Sequence, residues 1–187
     1  MEIGKTLYVA DREQWRAWLA EYHDKEQEIW LIYYKKGSGK PRIPYNDAVE
    51  EALCYGWIDS IVKGIDDKKY TQRFTPRKPK SNLSAMNRER VHRLLEQGKM
   101  TDAGLAAIKH VFDASEQPAE PEIAPDIVQA LQQDRETWQN FQGFPDSYKR
   151  IRIAFIEGAR SRPEMFEQRL RYFLKMTAQN KRFGMVQ

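Results

Sequence analysis

Cysteine is almost missing from this chain: Cys54 is the only one among 187 residues. A single thiol excludes an internal disulfide framework and any zinc site built on clustered cysteines. Long apolar runs are missing too. The longest, Ile29 to Tyr34, is six residues, far short of the roughly 20 that span a bilayer. The opening Met1-Glu2-Ile3-Gly4-Lys5 has no basic stretch leading into an apolar core, so no secretory signal is read and a cytoplasmic location is expected. Histidine is scarce, and His23, His92 and His110 have no second histidine or cysteine at i+3 or i+4. That spacing argues against a bound metal, and no cofactor is expected.

What is present is enough for a core. The chain is 41% hydrophobic and 12% aromatic at a mean hydropathy of −0.79, too apolar for wholesale disorder. The net charge of +4 hides an alternation: residues 1–60 carry −3, 61–99 carry +7, 100–147 carry −7 and 148–187 carry +7. Such blocks are either solvated faces that neutralise one another or, for the first basic block, the surroundings of an anion site.

Periodicity places the elements. Asp11 with Gln14 resembles a capping box, and Trp15, Trp18, Leu19 and Tyr22 follow helical spacing. Glu28 to Lys35 is apolar in both alternating sets, as in a central strand covered on each side. A helix over 47–55 opens on an Asp47/Glu50 pair and stops at Gly56. Strands at 58–63 and 69–75 make a hairpin around Gly64-Ile65-Asp66-Asp67. Ser84 caps a helix to Gln97, and Thr101 opens another that ends near Phe112. Residues 113–126, acidic with Pro118, Pro121 and Pro125, read as a linker. Helices follow at about 126–133, 136–142, 146–160 and 164–178, with a frayed tail after Lys181. The fold class is therefore α+β: a small antiparallel sheet packed by helices over 1–112, a linker over 113–126, and a helical section over 127–187.

Most motifs fail on inspection. Gly37-Ser38-Gly39-Lys40 lacks the earlier glycine of a phosphate loop, since Tyr34 stands there, and Pro41 replaces the magnesium-binding hydroxyl. Cys54 lies in the apolar Ala52-Leu53-Cys54-Tyr55 and reads as a small buried hydrophobe. Glu50-Glu51 diverge around their helix, and Asp66-Asp67 suit a turn. Asn82-Leu83-Ser84 matches a glycosylation acceptor. No catalytic set is assigned.

One stretch has the parts of an anion pocket: Trp57, Asp59, Arg73, Thr75, Arg77, Ser81 and Ser84. Alternation puts Arg73 and Thr75 on one strand face, and Pro76 holds Thr75 extended so that Arg77 follows just beyond. Ser84 opens a helix whose free N–H groups favour an anion. In this reading Arg73 and Arg77 clamp the ligand, the three hydroxyls donate hydrogen bonds, and Trp57 supplies a stacking wall. The alternative is a structural Asp59–Arg73 ion pair with Ser84 as a plain cap. An enzymatic version uses Asp59 as general base on a phosphorylated or carboxylated small molecule. Two basic blocks also raise nucleic-acid binding, but no recognition motif accompanies them and the third, acidic block opposes it. The ligand is thus expected to be a small anionic molecule or a protein partner.

At this stretch the sequence resembles the YdeI/OmpD-associated, or bacteriocin-protection, family. The resemblance is firm over residues 8–110 and weaker over the helical remainder. Its segments are Trp30-Leu31, Tyr34-Lys35-Lys36, Tyr45 with Ala48 to Leu53, Gly56-Trp57-Ile58-Asp59, Arg73-Phe74-Thr75-Pro76-Arg77, Ser81, Ser84, Asn87, Val91, Gly98-Lys99-Met100 and Gly104. Leu83 stands where the family often shows tryptophan. The resemblance implies a soluble bacterial protein concerned with bacteriocin, antimicrobial-peptide or stress tolerance. It carries over no catalytic residue.

Overall fold

The Asp11 carboxylate accepts the Gln14 N–H at 2.9 Å, and Gln14 Oε1 accepts the Ala10 N–H at 3.0 Å. That reciprocal cap starts α1 (Arg12–Tyr22) where the sequence places it. The computed structural model describes residues 2–113, 115 and 120–184. Eight helices and four strands lie among them, in an α+β arrangement.

The sheet runs in the order β1-β2-β4-β3. β2 (Ile29–Tyr34), β3 (Trp57–Gly64) and β4 (Lys69–Pro76) form its antiparallel part. β1 (Thr6–Tyr8) adds a parallel edge beside β2 that periodicity does not reveal, because three residues are too few to show a pattern. β3 and β4 make the expected hairpin, whose turn is closed by Asp66 accepting the Lys68 and Lys69 N–H groups. A register shift between Asp59 and Val62 bulges β3.

Between β2 and β3 lies α2 (Tyr45–Cys54), which starts two residues earlier than expected. Pro44 stands at its N-cap and offers no side-chain bond, and Glu50 is engaged elsewhere instead of in a capping pair. Gly56 ends the turn at φ +76°, a left-handed conformation that suits glycine. A Cβ there would also sit 2.8 Å from that of Ala107. α3 (Ala85–Glu96) and α4 (Asp102–Ile108) follow. Thr101 caps α4 through the Gly104 N–H, and α4 then ends short of Phe112.

The chain divides into two compact units, Met1–Leu83 with Arg90–Glu116 and Ser84–Glu89 with Gln117–Gln187. In the first, Trp15 and Leu19 of α1, Ile29, Leu31 and Tyr33 of β2, Val49 and Leu53 of α2, Phe74 of β4, and Val91 and Leu94 of α3 share one core. Trp30 points to the opposite sheet face and is buried as well.

In the second unit, α5 (Pro125–Gln132), α6 (Arg135–Gln142), α7 (Asp146–Glu157) and α8 (Pro163–Ala178) enclose Ile127, Leu131, Phe141, Tyr148, Ile156 and Phe173. Of the expected linker, residues 114 and 116–119 lie outside the described residues, and Pro125 and Asp126 already belong to α5. The tail is not frayed through Gly184: Phe183 rests on Tyr172 and donates its N–H to the Tyr148 hydroxyl. Residues 185–187 lie outside the described residues. Among the described residues no helix is long and apolar enough to cross a membrane.

Candidate anion-binding site

Sheet alternation separates the residues that the sequence groups together. Asp59 faces Phe74 across β3 and β4, so both lie on the helix-covered side. There Asp59 Oδ2 accepts the Tyr45 hydroxyl at 2.8 Å and the Gln72 amide at 2.7 Å. Burial, then the neighbouring Asp59 charge, pushes Tyr45 up to about 12, so its hydroxyl stays a donor. The stacked Tyr33 and Tyr70 rings lie in the same cluster, and burial pushes Tyr33 upward too. Its hydroxyl is buried without a hydrogen-bond partner among the described residues. Trp57 is buried on this side, its indole N–H given to the His23 carbonyl at 3.0 Å, so it offers no stacking wall.

Arg73 lies on the other face, opposite Trp30. Its Nε and Nη2 both reach Glu28 Oε2, at 2.6 and 2.5 Å. That hydrogen bond holds Glu28 below the ordinary carboxylate value, helped by the Trp30 indole. The expected structural pair with Asp59 is therefore not the one that forms. Thr75 shares the Arg73 face and pairs with Ile58.

Arg77 is different. Its main chain continues the hairpin through an N–H bond to the Gly56 carbonyl, and its Nη2 donates to the Asn82 carbonyl at 2.8 Å. Among the described residues no carboxylate pairs with it and its Nε has no hydrogen-bond partner. Burial alone draws its basicity down. Ser81 lies in the same loop, and its hydroxyl is also buried without a partner, while His110 contacts its carbonyl at 3.0 Å. Lys78 and Lys80 stand exposed in this loop. Ser84 acts as a cap, accepting the Asn87 N–H at 3.2 Å, and it belongs to the second unit.

The carboxylates that sequence reasoning set aside prove the most buried. Glu51 is 1% exposed and pairs with Arg12 and Arg16 of α1, the latter at 2.7 Å. Glu50 pairs with Arg12 and with Arg93 of α3. Arg12 and Arg16, one turn apart on α1, were the available signal. Burial raises the Cys54 thiol to about 11, which keeps it unreactive. Among the described residues no cluster of three or more histidine, cysteine or acidic side chains is placed to hold a metal.

Two family models match the chain. The one described as "Domain of unknown function (DUF8412)" covers residues 7–107, and the one described as "Bacteriocin-protection, YdeI or OmpD-Associated" covers residues 120–180. The second bears out the resemblance read from the sequence, and it lies on the helices of the second unit, where that resemblance is the weaker. No curated protein and no solved structure matches.

Proposed function

For a chain that belongs, over residues 7–107, to the DUF8412 family and continues into a YdeI/OmpD-associated segment, we propose a binding protein for an anionic ligand, seated on the loop after β4. Arg77 is the anchoring residue, with Ser81 beside it and Lys78 at the rim. One observation carries the reading: a half-buried guanidinium that has no counter-charge among the described residues shares its loop with a buried hydroxyl that has no partner among them. Partly desolvated charge is costly unless it is paired and hydrogen-bonded, and both groups are donors that an anion satisfies. Arg73, already neutralised by Glu28, shapes the sheet face instead of clamping the ligand. The cellular role that fits is cytoplasmic ligand capture in stress or antimicrobial-peptide tolerance.

The test is thermal shift with inorganic phosphate, pyrophosphate and citrate, on the full chain and on Arg77→Gln, Ser81→Ala and Arg73→Gln. A ligand at 100 times its Kd adds about 2.7 kcal/mol to stability. The expected result is that Arg77→Gln loses this gain, Ser81→Ala loses part of it and Arg73→Gln keeps it. Equal stabilisation of all four proteins, or of none, overturns the proposal.

A further inference from the structure

The second unit holds a cavity of about 330 Å³ between α7 and α8, lined by Arg152, Phe155, Arg169, Tyr172, Phe173 and Phe183. That volume is at the small end of the roughly 300–1,000 Å³ typical of ligand sites. Its walls are mostly apolar, with four aromatic rings among them. Arg152 is the exception that needs an explanation, being only 6% exposed. Among the described residues it makes no hydrogen bond and no ion pair, and its Nε is buried without a partner.

What surrounds Arg152 is a ring of aromatic faces. Its guanidinium centre lies 4.9 Å from the Phe183 ring and 5.7 Å from those of Tyr148 and Phe155. Contacts of this kind are attractive but do not offset the full cost of taking an ion out of water. The rings hold the arginine in place without cancelling its charge. Arg169 stacks on Phe155 at 3.8 Å and spends one N–H on the Phe155 carbonyl, so the mouth of the cavity is also positive.

We infer that this cavity is a binding site for a compact apolar monocarboxylate, with the carboxylate on Arg152 and the apolar body against Phe155, Tyr172 and Phe173. A guanidinium fork matches a carboxylate with two parallel hydrogen bonds. Of the two guanidiniums in the lining only Arg152 is buried, and the aromatic rings beside it suit an apolar body that a phosphate dianion lacks. The site is separate from the Arg77 loop and stands whether or not that loop binds.

The experiment is isothermal titration of the full chain with decanoate and with indole-3-acetate, set against 1-decanol as a neutral match. The two acids separate an aliphatic from an aromatic ligand. One saturable site for at least one acid, at least tenfold tighter than for the alcohol, is expected. Arg152→Met lowers that affinity at least tenfold. Phe155→Glu, at a rim position 46% exposed, replaces one ring of the wall with a negative charge at the mouth and does the same. If acid and alcohol bind alike, if neither acid binds, or if the affinity survives Phe155→Glu, the inference is wrong.

Discussion

Asp59 shows how little a residue's identity says without its neighbours. As a bare carboxylate it suits a general base or an arginine's counter-ion. In place, it holds Tyr45 and Gln72 through one oxygen. Tyr45→Phe removes a charge-assisted bond and is expected to lower stability by about 1.5 kcal/mol at neutral pH, read as a urea midpoint. The alkaline limb is more telling. The folded-state value of about 12 for Tyr45 stands above the unfolded tyrosine value of about 10. Its contribution is therefore complete below pH 10 and drains away as pH rises from 10 toward 12. Tyr45→Phe flattens this part of the stability curve, and an unchanged alkaline limb would assign the loss to other tyrosines. The Arg73 reading illustrates the same point. Alternation along β4 correctly pairs Arg73 with Thr75, but nothing local says that Glu28, 45 residues away, takes the guanidinium.

Elements were readable wherever their signal was local. The Asp11 cap, the hairpin turn at Asp66 and the Gly56 stop are all written within a few residues, and each formed as read. Legibility ended at β1, too short to show a period, and at α2, where Glu50 turned inward. Adjacent glutamates on an isolated helix do diverge, yet α1 and α3 flank α2 and supply an arginine for each direction. Glu51→Gln leaves two guanidinium groups facing a neutral amide. Removing one member of a buried pair costs about 3–5 kcal/mol, and the partial exposure of Arg12 and Arg16 sets the expectation at about 3. A loss under about 1 kcal/mol in urea unfolding would place the network with ordinary surface pairs.

At the scale of the whole molecule, two separate cores predict two unfolding transitions. Trp15, Trp18, Trp30 and Trp57 lie in the first unit and Trp138 in the second. In a Trp138→Phe background, fluorescence follows the first unit while far-ultraviolet circular dichroism follows the helices of both. Adding Phe173→Ala removes a fully buried ring at a cost of about 3–5 kcal/mol. It is expected to move the dichroism transition and leave the fluorescence midpoint in place; a shared shift would mean a single cooperative block. The split also parallels the two family matches, one over residues 7–107 and the other over the helices at 120–180. Gly104 shows what such packing does over long times. A Cβ there would overlap the Cys54 carbonyl oxygen, so every replacement in this lineage meets backbone. Gly64, with open space around it and an unremarkable φ, is free to drift. Descendants of this gene are thus expected to diverge at 64 and stay locked at 104, whatever ligand selection favours.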